Sequence, residues 1–189
     1  MTLLSAVVPC YNSEDYMDRC IDALLTGGPQ VEIIIVDDGS TDRTGAIADD
    51  YAVRFPESIR VIHQPNGGHG AAINAGVRAA QGKYFKVVDS DDWLDPAALQ
   101  KVLAELAANT FDMLIFNYVY DKVGKKHKRV MQFRRALPQN RQFTWQDVKL
   151  QPGKYILMHS VIFRTAILQD MHLTLPRHTF YVGNLFVFE

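Results

Sequence analysis

Val31-Glu32-Ile33-Ile34-Ile35-Val36-Asp37-Asp38-Gly39-Ser40-Thr41-Asp42 decides the architecture. The run Val31–Val36 is apolar and β-branched except at Glu32, and it stops at an acidic turn bearing a glycine. Such a run reads as a strand buried on both faces, the pattern of a parallel sheet covered by helices. Working outward, Leu3–Val8, ended by Pro9, reads as the strand before it, and Ile59–His63 and Tyr84–Val88 as strands after it. Helical segments fall between them. Asn12 or Ser13 offers an N-cap ahead of Tyr16, Cys20, Ile21 and Leu24, with Gly27 closing the helix. Thr41 caps a helix to about Phe55, Ala71–Ala80 is a helix of small residues closed by Gly82, and Asp95-Pro96 opens a helix to about Asn109. Strand and helix alternating in this way predict an α/β chain: a Rossmann-like, mostly parallel central sheet with helices on both faces and right-handed crossovers. Ligands of such sheets bind beyond the carboxyl ends of the strands.

After residue 110 the pattern changes. Phe111–Tyr120 reads as a long apolar-aromatic strand, with a turn around Gly124 and an antiparallel return over Arg129–Phe133, a small antiparallel element in the second half. Lys125, Lys126, Lys128, Arg129, Arg134 and Arg135 make a basic cluster, read as a solvated hairpin tip or as a contact for a phosphate or an anionic acceptor. Thr144–Asp147 starts a short helix, Ile156–Phe163 is another strand, and a short helix runs to about Asp170.

The chain has 189 residues, 48% of them hydrophobic and 22% charged, the size and balance of one domain with a full core. With 20 Lys and Arg against 21 Asp and Glu, the net charge of −1 argues against broad binding to nucleic acid. No apolar run reaches the ~18–20 residues of a spanning helix. The N-terminus lacks the basic region of a secretory signal. Cys10 and Cys20 form no metal-binding spacing and read as free thiols, which points to the cytoplasm.

Each of the first four strands ends in a distinctive polar loop: Pro9-Cys10-Tyr11-Asn12, Asp37–Asp42, Gln64–Gly70 and Asp89-Ser90-Asp91-Asp92-Trp93. In a parallel sheet all four converge on one crevice. There Tyr11 can lie flat against a nucleobase, and Asp38 can accept a hydrogen bond from a base or ribose. Asp38 lies in a loop open to ligand, with little packing at stake. Asp89 and Asp91, two apart on extended chain, face the same side and suit a hard divalent cation with positions left for phosphate oxygens. The crevice reads as a site for a nucleoside diphosphate and its metal. Plainer roles stand beside these: Asp37 and Asp38 as turn formers, Gly67, Gly68 and Gly70 as a tight turn, Asp92 and Asp95 as a turn and a cap, and His69 as an ordinary loop histidine. A dinucleotide site needs G-x-G-x-x-G where Pro-Cys-Tyr-Asn stands. No P-loop and no G-x-S-x-G elbow exists, and Trp93 breaks an EF-hand pattern.

The segments Val7–Asn12, Val36–Asp42, Asn66–Gly76 and Asp89–Trp93 together resemble a family 2 glycosyltransferase, specifically over residues 3–96 and diffusely over 97–189. The resemblance implies a GT-A fold in a single catalytic domain over 1–189, with a nucleotide-sugar-binding half at 1–96 and an acceptor half at 97–189. It implies an inverting, metal-dependent transfer from a nucleotide-sugar donor, often a UDP-sugar, to a glycan or lipid-linked acceptor in bacterial surface-polysaccharide synthesis, with Mg²⁺ or Mn²⁺ as cofactor. By position, Pro9 and Tyr11 line the base pocket, Asp38 holds the uracil edge or ribose, Asp89 contacts the ribose or donor sugar, and Asp91 ligates the metal. Two departures stand out. Gly183 occupies the place where the catalytic Asp base is expected, and the chain stops at Glu189 where relatives continue. A continuation would carry acceptor-binding or membrane-associating elements, placing the protein at the inner face of the cell membrane. A nucleotide-binding module without turnover is the alternative that Gly183 favours. A sugar-nucleotide pyrophosphorylase would want a Gly-rich, Arg- and Lys-bearing loop after the first strand, which Pro9–Asn12 does not supply.

Overall fold

The computed structural model describes residues 2–121, 127–150, 156–172 and 174–179. Its central sheet has six strands in the order β3-β2-β1-β4-β8-β5. Strands β1 (Leu4–Cys10), β2 (Val31–Asp37), β3 (Ile59–His63) and β4 (Tyr84–Val87) run parallel. Strand β8 (Val161–Arg164) pairs antiparallel with β4, and β5 (Met113–Ile115) antiparallel with β8. The second half of the chain therefore completes the sheet begun by the first. This is the mostly parallel α/β sheet expected from the sequence.

Alternation along the strands divides the core in two. Leu4, Ala6 and Val8 of β1 and Ile33 and Ile35 of β2 face helices α1 (Met17–Leu25), α2 (Thr44–Arg54) and α4 (Pro96–Ala108). Val7, Ile34, Val36 and Phe85 face α3 (His69–Ala79) and α5 (Thr165–Asp170). The small residues of α3 let it lie close to the sheet. A Cβ on Gly76 would collide with the methyls of Val7, so only glycine fits there. Cys10 and Cys20 are buried free thiols; burial, then the nearby Asp37 charge, pushes Cys10 up to about 12. Among the described residues no helix is long and apolar enough to cross a membrane.

Several element boundaries differ from the sequence expectation. Asn12 and Ser13 do not cap α1, which starts at Met17 after Tyr16. Thr41 does not cap α2, which starts at Thr44. These side chains stitch loops instead: Asn12 Oδ1 accepts from the Thr41 amide at 2.8 Å, and the Ser13 hydroxyl meets that of Ser90 at 2.9 Å. Asp95 does cap α4, accepting from the Ala98 amide at 2.9 Å, with Pro96 at the first helical position. The long strand expected over Phe111–Tyr120 is two strands in two sheets. It breaks after Phe116, whose amide still donates to the Ser160 carbonyl at 2.9 Å in register with β8, and β6 (Tyr118–Tyr120) then pairs with β7 (Arg129–Met131) as a separate hairpin. The strand expected from Ile156 begins only at Val161, after a 3₁₀ turn over Met158–Ser160.

Candidate active site

All four polar loops lie at the carboxyl ends of β1 to β4, as parallel pairing requires. Pro9 is the penultimate residue of β1 and is buried; Tyr11, just beyond, is 53% exposed and leaves its ring open to a ligand. Asn12 takes a positive φ of 50° while its side chain binds the β2–α2 loop. Asp37 accepts from the Ser40 amide at 3.0 Å and from His63 at 2.9 Å. Burial raises its pKa, but these bonds outweigh burial and hold it below the usual range.

Asp38 is only 3% exposed, so the expectation that little packing is at stake there does not hold. Its Oδ1 accepts from Gln64 Nε2 at 2.6 Å and the Gly67 amide at 3.0 Å; its Oδ2 accepts from the Gly68 amide at 2.7 Å. The carboxylate thus folds the β3–α3 loop around itself. Gly68, at φ 84°, turns that loop into α3, where His69 begins the helix.

Across the crevice, His69 Nε2 sits 2.9 Å from Asp89 Oδ1. His159, brought in by the turn before β8, lies 3.2 Å from Asp92 Oδ2 and 3.8 Å from Asp89 Oδ2. Ligand atoms of Asp89, Asp92 and His159 all fall within 4.8 Å of one another. Asp91 is exposed beside them. Desolvation and then the charges of Asp92 and Asp89 raise its pKa, the mark of a carboxylate crowded by like charges. Burial raises Asp89, but the His69 bond and the charges of His69, His159 and Lys86 bring it down overall. Beneath the cluster Lys86 is fully buried, its Nζ donating to the His159 carbonyl at 2.9 Å; burial pushes its pKa down to about 8. The acids open onto a cleft of about 1450 Å³, also walled by Trp93, Tyr118 and Tyr120.

The structure therefore brings Pro9, Tyr11, Asp38, Asp89 and Asp91 to one edge of the sheet. Gly183 lies outside the described residues. Sequence reading missed His159 and Lys86 and gave Asp92 only a turn-forming role. The extended chain expected to turn Asp89 and Asp91 to one side is instead a turn, in which the Asp92 amide donates to the Asp89 carbonyl at 2.9 Å, so the cluster joins Asp89 to Asp92 rather than to Asp91. No local pattern links either to a histidine from a distant turn.

Asp38→Ala is expected to lower Tm by roughly 5–15 °C. It leaves two backbone amides without their acceptor, at about 1–3 kcal/mol each. Differential scanning calorimetry checks this, and an unchanged Tm would mean that water satisfies the loop as well as Asp38 does.

Residues 5–170 match the sequence profile of glycosyl transferase family 2. Among similar proteins, the uncharacterized glycosyltransferase EpsJ of Bacillus subtilis (strain 168) is 46% identical over 113 residues, 59% of this chain and 33% of that protein. The putative glycosyltransferase EpsH of the same organism is 38% identical over 125 residues, 65% of this chain and 36% of its own. Among solved structures, S. aureus TarS 1–349 in complex with UDP-GlcNAc superposes with a TM-score of 0.75 at 26% identity, over 96% of this chain and 51% of that one. The chain spans about a third of the length of these curated relatives and about half of the solved one. With its sheet matching the GT-A fold of that neighbour and its profile match covering most of its length, the chain belongs to glycosyl transferase family 2.

Proposed function

We propose that this chain is the donor-binding and catalytic part of an inverting glycosyltransferase that moves a sugar from a UDP-sugar to a glycan or lipid-linked acceptor. The observation that carries the reading is the cluster of Asp89, Asp92 and His159, joined through the His69–Asp89 bond to the Asp38-braced loop, with the exposed Tyr11 ring at the same edge of the sheet. The fold shared with a UDP-GlcNAc-bound neighbour supports it. The setting, on this reading, is surface-polysaccharide assembly at the cytoplasmic face of the membrane.

Tyr11 offers its face to the uracil, with Pro9 closing the pocket behind it. Asp38 holds Gly67 and Gly68 in place so that the loop can close on the nucleoside. Asp89, held by His69, faces the ribose or donor sugar. Carboxylate oxygens from Asp89 and Asp92 with an imidazole from His159 are donors that fit Mg²⁺ or Mn²⁺, and Asp91, next to them in the loop, is the further carboxylate we assign to the ion. A cation bound there would neutralise charge on the departing diphosphate. The acceptor oxygen bonds to the anomeric carbon as the bond to the diphosphate oxygen breaks, and that electron pair leaves with UDP. The acceptor proton needs a base within hydrogen-bond reach. We assign that place to residue 183, where glycine supplies none, so this chain binds donor and transfers slowly. That same glycine favours the second reading, a nucleotide-binding module without turnover.

UDP binding, read by isothermal titration, is expected to require Mn²⁺ or Mg²⁺ and to weaken at least tenfold in Asp91→Ala, because a diphosphate beside three carboxylates is otherwise repelled. Equal affinity in that variant with Mn²⁺ present would remove Asp91 from the site. For the base, Gly183→Asp in a protein long enough to bind acceptor should raise transfer by the ~10²–10⁴-fold typical of a positioned base. An unchanged rate with donor affinity intact would place the base elsewhere.

A further inference from the structure

The crevice is rich in acids, and most of its basic side chains are already engaged. His69 faces Asp89, His159 faces Asp92, and Lys86 is buried against the His159 carbonyl. A nucleoside diphosphate presents base carbonyls, ribose hydroxyls and phosphate oxygens, an edge made largely of acceptors. It calls for donors with positive charge beyond one metal ion.

A segment far along the chain brings such a donor to the crevice. Asn74, buried on α3, clamps Leu175: its Nδ2 donates to the Leu175 carbonyl at 2.9 Å, and its Oδ1 accepts from the Leu175 amide at 3.0 Å. This pair imitates one rung of a β-ladder, made by a side chain, across 101 positions of sequence. Three residues on, the His178 amide donates to the Gly67 carbonyl at 3.0 Å. The contact is so close that a Cβ on Gly68 would stand 2.7 Å from the His178 nitrogen. Arg177 lies between these two anchors. Its Nε and Asp38 Oδ1 each stand 3.9 Å from where a Cβ on Gly67 would be, so the guanidinium and the carboxylate border the same loop residue. The Arg177 side chain is exposed, and among the described residues no carboxylate pairs with it.

We propose that Arg177 is a nucleotide-binding residue, held at the rim of the donor crevice by the Asn74–Leu175 clamp, and that its guanidinium donates to acceptor oxygens of the UDP moiety. The second half of the chain then reaches back onto the donor. The Asp38-braced loop is the shared surface: Asp38 and the His178 amide both hydrogen-bond it, and Arg177 borders it at Gly67. Anything that shifts residues 174–179 shifts Arg177 with them, so Asn74 is a positioning residue for this contact. The assignment rests on reading the crevice as a UDP-sugar site.

The test is isothermal titration of UDP and of uridine, both with Mn²⁺, into the parent, Arg177→Gln, Asn74→Ala and the double variant, with Tm recorded for each. Arg177→Gln should weaken UDP at least tenfold and leave the Tm of the free protein unchanged, since the side chain is exposed. A parallel loss for uridine assigns the contact to the base or ribose; a loss confined to UDP assigns it to the diphosphate. Asn74→Ala should lower Tm and weaken UDP. Adding Arg177→Gln to it should then cost little more, because the released segment no longer presents the guanidinium. UDP affinity equal to the parent in Arg177→Gln, or fully additive losses in the double variant, would overturn the proposal. A parent that binds no UDP with Mn²⁺ would instead refute the donor reading of the crevice, and this assignment with it.

Discussion

The carboxylate of Asp38 is the interaction on which the candidate site depends. It stands at the end of a buried strand, nearly shielded from water, and it accepts three hydrogen bonds from the loop that follows a different strand. Two of the donors are backbone amides of glycines, which allow the chain to come this close and to turn at positive φ into α3. The position of α3, and hence of His69 beside Asp89, follows from this arrangement. So does the seat on which residues 174–179 lie. An ordinary turn residue would satisfy its own loop; this one joins two strand ends and indirectly a third segment.

Charge is the second organising constraint. Asp89, Asp91 and Asp92 lie on four consecutive positions after β4, and their repulsion is not relieved by any acid-for-cation pairing within that loop. The relief comes from elsewhere: His69 from α3, His159 from the turn before β8, and Lys86 buried below. Asp91 has no such partner at bonding distance among the described contacts; desolvation, and then the charges of Asp92 and Asp89, raise its pKa. Like charges gathered this closely at the mouth of a cleft are costly without a counter-ion, and a divalent cation carrying a diphosphate supplies one.

Much of the fold was legible because buried parallel strands leave mostly apolar runs, and Leu3–Val8, Val31–Val36 and Tyr84–Val88 are such runs, each broken by a single polar residue, Ser5, Glu32 and Lys86. The convergence of Tyr11, Asp38, Asp89 and Asp91 followed from chain order alone, since every strand end of a parallel sheet points the same way. What failed was set by contacts distant in sequence. Asn12, Ser13 and Thr41 have the chemistry of helix caps, but their side chains are spent bridging loops. Phe111–Tyr120 has one composition throughout, and only its distant partners, β8 for Met113–Ile115 and β7 for Tyr118–Tyr120, divide it between two sheets. His159, Lys86 and Asn74 carry no local signal at all: a histidine in a turn, a lysine in a strand and an asparagine in a helix show their roles only once their partners are placed.

On the proposed function, the carboxyl-end loops form one site for a nucleoside diphosphate and a divalent cation. Diffraction from crystals grown with UDP and Mn²⁺, collected at the manganese absorption edge, tests it most directly. A single site requires an anomalous peak at ligand distance from carboxylate oxygens of the Asp89–Asp92 loop, next to the diphosphate, with the uracil against Tyr11. A nucleotide bound away from these loops, or one bound among them with no manganese beside the acids, would contradict it.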